Sequence, residues 1–514
     1  MANVAPGVTV NVTAASSNSL PNNPTGTWFV LGNASGPAGM VVPIQSMNDF
    51  TSVFGKIVNG NLTGRYSLTH VDSTLLYDAL DVFFKEGGIQ AFVSRVQPAS
   101  TGVAATSSTG GKFQLTANGK GTWANSSNSA VDGVILTLTG VSINGNTFQS
   151  AVITYNGLTT ASVSGLSTDT DVINWINSLP AYQSMVTAAS VAGSSILPTA
   201  GSSTSIYLAG GTDTATADGD ADAALALINE TYGVGQVSFP GNTSATVQAA
   251  LANHAASFNR VALVDAPNTA TTADIITAAQ SLQYAVTDPS YVAVFGPWVK
   301  VPGVVNTNPS VTSGVVFSRT VAPVALAAAK MAKNDVGNDA NVPAAGSNNG
   351  ASSYATGLSA TFSNSDLGDL NAAGVNVIRA VPNVGTIAIY GFRSLAIDPN
   401  WKFLNNVRFR MQVIRDLDRI AEGYVFQEID GKGHIFSQLA GAIAGQLQQY
   451  WIRGSLYGLT ASDAFSVNTG SQVNTPVTIA AGQINAQVAL KMSPFGEFVT
   501  INVVKYAVNA TLPQ

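Results

Sequence analysis

Cysteine is absent from this 514-residue sequence, and charged residues are scarce. Without thiols the chain can form no disulfide bond and offers no thiolate ligand for zinc or an iron–sulfur cluster. Charged residues make up 10% of the chain, against about 25% in an ordinary globular protein. A solitary soluble domain keeps about a quarter to a third of its surface charged, so we expect this chain to bury much of its exterior against copies of itself. The alternative is a monomer with a low-charge surface.

Catalytic motifs are missing as well. The sequence contains no GxSxG elbow, P-loop or HExxH motif. The histidines are isolated from one another in sequence: His70, His254 and His434. We therefore predict neither an enzyme nor a protein with a cofactor or metal. Asp218, Asp220 and Asp222 match no calcium-loop spacing and are better placed to favour the start of a helix.

Two further classes of partner are disfavoured by composition. The formal net charge of -6 gives no broad basic field, so we expect no nucleic-acid partner. No run approaches 18 apolar residues, so we expect no membrane insertion. The first residues, MANVAPGVTV, have neither the basic nor the apolar region of a secretion signal, so we expect none.

Composition and hydrophobic periodicity divide the chain into five segments. Residues 1–25 are predicted to form an extended arm, and residues 26–100 a small α/β segment. Residues 101–205 are rich in Ser, Thr, Asn and Gly, with short strands between turn signals, which predicts an inserted β domain. Strands and helices alternate over 206–397, which predicts an α/β domain, and residues 398–514 combine long helices with a final strand.

The same patterns predict individual elements. The predicted helices are 75–84, 171–179, 222–230, 273–282, 407–421 and 434–453. The predicted strands are 29–31, 89–96, 134–138, 151–155, 260–264, 291–295, 375–378 and 386–390. The Asn- and Gly-rich run 334–357 is predicted to be a mobile loop.

Both ends of the chain contain a strand pattern without a predicted partner. The alternating apolar residues of these strands are Val8, Val10, Val12, Val499, Ile501 and Val503. The first strand follows Pro6-Gly7, and the second belongs to the run 497–508. Unpaired strands gain main-chain hydrogen bonds from another chain, so these residues are candidates for strand exchange between subunits.

Arginine is concentrated near the C-terminal end, where seven of the 11 arginines fall within 75 residues. On the helix 407–421, Arg408, Arg415 and Arg419 are spaced to share one face. Guanidinium groups can bind carboxylates in a two-pronged geometry, so this face is a candidate docking surface for a partner with acidic patches. Because Asp416 and Asp418 are close by, a solvated face with local ion pairs is the alternative.

A series of short segments, in order, carries a resemblance to a known family. The segments are Pro6-Gly7-Val8, MNDFTSVFG at 47–55, LLYDALDVFFKEGGIQAFVSRV at 75–96, GTWAN at 121–125, LAGGTD at 208–213, VNVIRAVPNVGTIAIYGFRSL at 375–395, 401–415, GSLYGLTASDAFSV at 454–467, and Asn474. Together they resemble the tail sheath proteins of contractile phage tails, R-type bacteriocins and contractile injection systems. Each segment is mostly small and apolar, so the specificity lies in their order along the chain.

This resemblance implies a multi-domain α/β fold. It would contain an inserted β-sandwich or barrel domain, a subtilisin-like α/β outer domain without a protease site, and an α+β C-terminal inner domain with extended terminal strands. The subunit would polymerise as stacked hexameric rings, as a helical sheath around a tail tube, and contract to drive the tube through the host envelope. Its terminal strands would join sheets of neighbouring subunits.

The resemblance also implies partners and a location. The partners would be further copies of the chain, the tail tube protein, to which the arginine face would dock, and baseplate and tail terminator proteins. The assembly would be a virion tail built in the host cytoplasm. Two other classes stay open: a capsid-type or surface-array protein, and a secreted carbohydrate-binding adhesin. The adhesin would need an aromatic platform, for which the insertion offers Trp123, Tyr155, Trp175 and Tyr182.

Overall fold

A computed structural model of the chain contains both helices and sheets. It describes residues 24–107, 111–128, 131–303, 318–382 and 384–497. The chain divides into two compact units, with the division after Val247. The prediction of a mixed α/β protein with several domains is confirmed. The predicted subtilisin-like character of one domain stays a prediction.

The first unit is rich in strands. Its strands are β1 (Trp28–Gly32), β2 (Val41–Ile44), β3 (Lys56–Val58), β4 (Asn61–Thr63), β5 (Ala91–Arg95), β6 (Thr106–Ser107), β7 (Phe113–Ala117), β8 (Val134–Ile143), β9 (Asn146–Tyr155), β10 (Leu158–Leu166), β11 (Val186–Ser190), β12 (Ser203–Ala209) and β13 (Gln236–Ser238). Its helices are α1 (Met47–Phe54), α2 (Thr74–Lys85), α3 (Asp169–Ser178), α4 (Ala181–Ser184) and α5 (Asp220–Ala226).

Strand β1 is the centre of the first unit's buried sheet. It pairs in parallel with β5 on one side and β13 on the other, and β2 pairs antiparallel with β5. All five residues of β1 are buried, as expected for a strand covered on both faces, and Trp28 Nε1 donates to Ser238 Oγ at 2.8 Å. Because β13 belongs to the segment 206–397, the predicted segments 26–100 and 206–397 contribute strands to one sheet.

Strands β6 to β12 form the predicted insertion, between β5 and β13. They make one seven-stranded sheet in the order β10-β9-β8-β12-β6-β7-β11. The turns at Asn144-Gly145 and Asn156-Gly157 have positive φ at both residues, as two-residue hairpin turns require. The predicted end of the insertion at residue 205 falls inside β12, which continues to Ala209.

The insertion is tied to the rest of the first unit at a narrow neck. Val103 and Thr212 exchange backbone hydrogen bonds of 3.3 and 3.0 Å where the chain enters and leaves the insertion. The Tyr155 hydroxyl and the Asn156 amide both donate to the carbonyl of Gly55, at 2.7 and 3.0 Å. These bonds are buried, so the insertion is attached by more than its two connecting chain segments.

The second unit combines an α/β layer with a helical C-terminal part. Its strands are β14 (Val261–Asp265), β15 (Val292–Gly296), β16 (Val299–Pro302), β17 (Ser318–Val321), β18 (Gly357–Leu358), β19 (Val375–Ala380), β20 (Ile387–Ile389), β21 (Phe465–Asn468) and β22 (Gln487–Leu490). Its helices are α6 (Ala245–Ser257), whose first three residues precede the division, α7 (Thr272–Ala285), α8 (Pro323–Asp335), α9 (Gly346–Asn349), α10 (Asn364–Ala372), α11 (Leu404–Glu422), α12 (His434–Ile452), α13 (Ala461–Ala464) and α14 (Pro476–Ala480).

Parallel strands form the layer of the second unit. Strands β14, β15 and β19 are parallel, and β20 adds an antiparallel edge. Helix α8 packs against β14 and β15 and is buried along nearly its whole length. Asp265, at the end of β14, accepts a hydrogen bond of 3.1 Å from the backbone N–H of Val324 in the first turn of α8. A carboxylate there satisfies a helix N–H group that has no partner within the helix.

The run 334–357 is ordered by long-range contacts, so the prediction of a mobile loop is wrong. Asp339, Asn341 and Ala344 are buried. The Asn341 amide donates to the carbonyl of Ser455 at 3.3 Å, and Gln412 of α11 donates to Asp339 at 3.0 Å. Polar residues of this kind favour loops when only the local sequence is considered. In the structure they are buried, and their hydrogen-bonding groups are paired with other residues of the protein.

Candidate functional site

Helix α11 carries the arginine cluster and shares a core with α12. Five residues of α12 are buried along one side: Ile435, Leu439, Ile443, Leu447 and Tyr450. They pack with Phe409 and Val413 of α11. The spacing of apolar residues in the sequence predicts the first four of these positions, with Trp451 as the fifth. In the structure Tyr450 takes the fifth place, and Trp451 is partly buried and donates to the carbonyl of Gly458 at 2.9 Å.

A small antiparallel sheet packs against this helix pair. Strands β21 and β22 place Phe465 opposite Leu490 and Val467 opposite Val488. These four side chains contact the core of α11 and α12 but are only partly buried. The alternate residues Ser466 and Ala489 face away and are exposed. The sheet is therefore amphipathic, with an apolar face that its two strands do not fully cover.

Within the described residues this sheet has no third strand. Two-stranded sheets are marginally stable by themselves, and each outer edge presents main-chain N–H and C=O groups that another strand can pair with. The sheet thus offers two edges for strand addition, next to a hydrophobic face that additional strands would extend.

The predicted strand-exchange residues Val8, Val10, Val12, Val499, Ile501 and Val503 lie outside the described residues. The chain is fixed immediately before the second predicted strand. The guanidinium of Arg393 binds Glu497 through both carboxylate oxygens, with Nε 2.9 Å from Oε1. Arg393 also donates to the carbonyl of Asn371 at 3.0 Å. This two-pronged ion pair sets the position from which residues 498–514 continue.

Arg408 does not belong to a docking face, which corrects the prediction for this residue. Its side chain has no exposed surface, and neither does that of its partner Asp335 at the end of α8. Arg408 Nη1 lies 3.2 Å from Asp335 Oδ1, and Nη2 binds the second carboxylate oxygen. A guanidinium that is wholly inside the subunit cannot contact another protein, so this arginine joins two helices of its own unit.

Arg415 and Arg419 remain at the surface, around the buried carboxylate of Asp416. Arg415 Nε donates to Asp416 at 2.9 Å, while Arg419 lies 4.0 Å from it and keeps 76% of its side chain exposed. The Tyr450 hydroxyl donates to the other oxygen of Asp416, and burial, followed by this carboxylate, raises the pKa of Tyr450. The local pairing expected for a solvated face is present, and docking through Arg415 and Arg419 stays a prediction.

Two further polar centres escaped the sequence analysis. Asp339 accepts hydrogen bonds of 2.9 Å from both Nε and Nη2 of Arg453, and one of 2.6 Å from Ser455. Arg410 lies 4.3 Å from the ring centroids of both Tyr291 and Trp401. The concentration of arginine in this region indicated such contacts, but their partners are distant in sequence and could not be named.

The described part of the chain offers no metal site and no membrane span. It contains no cluster of three or more acidic or histidine side chains that could hold a metal ion. Among these residues no helix combines the length and apolar character that crossing a membrane requires. Asp220, the first residue of α5, accepts hydrogen bonds of 2.7 and 2.9 Å from the N–H groups of Ala217 and Ala99, which both lie outside the helix.

Solved structures with a similar fold exist, although the sequence alone matches none of the known proteins compared with it. No protein-family model and no curated protein matches the sequence. Among solved structures, the chain is similar to one in the 6-fold symmetrised baseplate of the anti-feeding prophage, with a TM-score of 0.57 and 17% identity, covering 98% of this chain and 100% of that one.

Two further structures that are similar to this chain are of sheath proteins. The helical sheath of the anti-feeding prophage in its contracted state matches with a TM-score of 0.56 and 17% identity, over 98% of this chain and 99% of that one. A sheath tail protein from Listeria innocua matches with a TM-score of 0.53 and 14% identity, over 87% and 89%. This chain therefore has the fold of contractile tail sheath proteins, and the resemblance inferred from its sequence is confirmed at the level of the fold.

Proposed function

We propose that this chain is the structural subunit of a contractile sheath. The likeness of fold covers 98% of the chain and extends to the helical sheath of the anti-feeding prophage. A fold alone does not determine function, so the proposal depends on a feature of this chain itself. That feature is the β21–β22 sheet, which has two outer edges without a further strand among the described residues.

Strand exchange would use these edges. Two strands are available in the sequence, one around Val8, Val10 and Val12 and one around Val499, Ile501 and Val503. Two incoming strands would match two free edges, and their apolar side chains would extend the partly covered face of Phe465 and Val488. Main-chain hydrogen bonds would supply affinity, and the alternating valines would supply register.

Repeated exchange of this kind produces a polymer. A strand given to one neighbour and received from another is a head-to-tail contact, which generates rings or open helical filaments. In this proposal six subunits form each ring, and the rings stack around a tail tube. Contraction is then a change between two packings of rigid units, which drives the tube through the host envelope, while the exchanged strands hold the subunits together.

The remaining partners follow from such a polymer. An open filament needs a starting point and a limit to its length, which baseplate and terminator proteins would supply. The tube would contact the surface around Arg415 and Arg419. The assembly would be a virion tail or a related particle such as a bacteriocin or an injection system.

Electron microscopy of the purified chain tests the proposal. We expect negative-stain images of hollow sleeves with a regular axial repeat, formed at high protein concentration. A variant that stops at Glu497 retains the Arg393–Glu497 ion pair and all the contacts described above, so we expect it to fold and to form no sleeves. Closed shells, planar arrays or persistent monomers from the full chain would contradict the proposal, as would sleeves of normal length from the shortened chain.

A further inference from the structure

The turn between α11 and α12 exposes apolar side chains at its tip. Phe426 is fully exposed, and half of Val425 is exposed. The backbone of Phe426 has φ of 62°, a left-handed conformation that bulky residues rarely adopt. Residues held in such backbone conformations cluster at ligand clamps and switch regions, so this turn is a candidate contact surface. We call residues 423–433 the tip loop.

A groove of the same unit could receive such a side chain. It has a volume of about 1120 Å³ and lies where α10, β19 and the start of α11 meet the chain leading to Glu497. Aromatic side chains line it, among them Tyr390, Trp401, Phe403 and Phe495. Pockets for small molecules usually measure about 300–1,000 Å³, so this volume suits a segment of polypeptide with several side chains.

The unpaired charges of the groove are positive, since its one acidic residue, Glu497, is paired with Arg393, and the tip loop is acidic by one charge, from Glu428, Asp430 and Lys432. Arg379 lines the groove with its guanidinium 3.8 Å from the ring centroid of Tyr390, and its Nε is buried without a hydrogen-bond partner. Lys491 also lines the groove and is exposed. On the tip loop side, Glu422 and Glu428 are exposed. Across the described residues, the structure records no ion pair for any of these four side chains.

The tip loop of a subunit cannot reach its own groove. The groove includes Phe403, Asn405 and Asn406 at the start of α11, whereas the tip loop follows the end of that helix. A helix of 19 residues spans about 28 Å, so the two features are separated by nearly that distance. A contact between them must join two copies of the chain.

We propose that the tip loop of one subunit docks into the groove of the next, with Phe426 entering between the aromatic side chains and Glu422 or Glu428 facing Arg379 and Lys491. The contact rests on the proposed self-assembly and adds to it a second head-to-tail interface. Different surfaces meet on the two copies, so the contact propagates instead of closing a dimer. Residues 498–514 fit the groove less well in charge, since they contain Lys505 and no acidic side chain.

Cross-linking through introduced cysteines tests this contact directly, because the natural chain has no cysteine. A Phe426→Cys chain is mixed with an Asn349→Cys chain, whose cysteine lies in the groove lining, and assembled under mild oxidation with diamide. We expect a disulfide-linked heterodimer on a non-reducing gel, and a ladder of multimers from the chain with both cysteines. Pairing Phe426→Cys with Tyr284→Cys, which is exposed and outside the groove lining, is the control and should give neither.

Assembly measurements give a second, independent test. We expect Phe426→Ser to raise the protein concentration needed for polymerisation by about 10- to 30-fold, the loss typical of a central aromatic contact. Val477→Ser, at a side chain that is also exposed, is the matched control and should leave it unchanged. Arg379→Glu should weaken assembly, and Glu428→Lys in the same chain should restore it.

The outcomes separate this contact from the proposed function. Sleeves that form normally from Phe426→Ser, without the expected cross-link, would contradict the docking contact and leave the sheath proposal standing. An unmodified chain that forms no polymer would overturn both. A groove cysteine that instead cross-links to Tyr506→Cys of the same chain would assign the groove to residues 498–514 and overturn the docking contact.

Discussion

Arg408 and Asp335 form an ion pair that is entirely inside the second unit. Removing one member of such a pair leaves a buried charge without its main compensation, whereas replacing both with apolar side chains removes the desolvation cost as well. We expect Arg408→Met to lower the free energy of unfolding by about 3–5 kcal/mol. The double variant Arg408→Met/Asp335→Leu should recover most of this loss. Unfolding in urea, followed by circular dichroism, measures both values.

Arg419→Met is the matched control for that comparison. Arg419 is mostly exposed and 4.0 Å from Asp416, so its substitution should change stability by less than about 0.5 kcal/mol. Equal effects of the Arg408 and Arg419 substitutions would show that the buried pair contributes no more than a surface contact.

His254 should make the stability of the chain depend on pH. Its ring is buried, with Nε2 2.7 Å from Arg260 Nη1, and a guanidinium can only donate, so the ring nitrogen accepts. Burial, and then the charge of Arg260, lower the pKa of His254 to about 3. As the pH falls, His254 therefore binds a proton in the unfolded chain at a higher pH than it does in the folded chain. The stability contribution is complete above about pH 6.5 and is lost as the pH falls towards 3.

A glutamine at position 254 tests this dependence, since it keeps a hydrogen-bond acceptor and does not titrate. Between pH 6.5 and 4.5 we expect the natural chain to lose about 2–3 kcal/mol through this residue, and His254→Gln to lose correspondingly less. Urea unfolding at the two pH values gives the difference. His70 and His434 are exposed and unchanged in both chains. Parallel pH profiles would exclude His254 as the source.

Elements with a strong local pattern were predicted well from the sequence. The helix predicted at 434–453 is observed at His434–Ile452, and the one predicted at 75–84 at Thr74–Lys85. In both helices the apolar residues recur at helical spacing within the segment itself. The sequence of the segment is therefore enough to predict the helix and the face that it buries. The strand predicted at 260–264 is likewise observed one residue later, as Val261–Asp265.

Contacts between distant residues could not be predicted in the same way. Asp339 was assigned to a mobile loop because its neighbours in sequence are Asn and Gly, yet it binds Gln412, Arg453 and Ser455, from 73 to 116 positions away. The helical spacing of Arg408 and Arg415 was correct, but spacing does not show which side of a helix is covered by another helix. Burial of Arg408 depends on Asp335, which is 73 positions away.

The insertion can be removed at its neck. Val103 and Thr212 are already paired antiparallel, so a two-residue Asn-Gly turn can replace residues 104–211 between them. We expect this shortened chain to fold and to assemble, because none of the β21–β22 sheet is affected. A second shortened chain, in which a linker replaces residues 101–205, keeps the second half of β12 but loses the strands that pair with it. Its Leu208, which is buried in the natural chain, would then be exposed, and we expect this chain to aggregate.

Size-exclusion chromatography and thermal melting of the two shortened chains make this comparison. Both lose the hydrogen bonds from Tyr155 and Asn156 to Gly55, so a common loss of about 1–3 kcal/mol is expected. A cooperative melt for both chains would mean that the boundary within β12 is unimportant, and a failure of both would mean that the first unit needs its insertion to fold.

Binding to a tube involves the whole subunit and depends on charges that remain at the surface. We expect Arg415→Glu/Arg419→Glu to weaken co-sedimentation with tubes more than it weakens contacts between sheath subunits. Arg408 is left unchanged, because its substitution would destabilise the subunit and confuse a loss of stability with a loss of binding. Binding should weaken with added salt in the natural chain and depend less on salt in the variant. Equal co-sedimentation of both chains across a salt series would show that Arg415 and Arg419 face solvent and do not bind the tube.

Long polymers should require the first residues of the chain, which are outside the described structure. The core begins with β1 at Trp28, whose partners β5 and β13 lie in the same unit, so folding of that sheet does not call on residues 1–20. We expect the chain without residues 1–20 to melt cooperatively at a nearly unchanged temperature and to form no long sleeves.

Val10→Pro should have the same effect in the full-length chain. Proline removes one main-chain donor and fixes the backbone, so it would weaken the proposed strand pairing with another chain while leaving the composition of the arm almost intact. Ser17→Pro, outside the alternating valines, is the matched control and should assemble normally. Sedimentation, electron microscopy and thermal melting are compared for the natural chain and its variants. Sleeves of normal length from the truncated chain would refute exchange of this arm, and failure of that chain to fold would show that the arm belongs to the core of its own subunit.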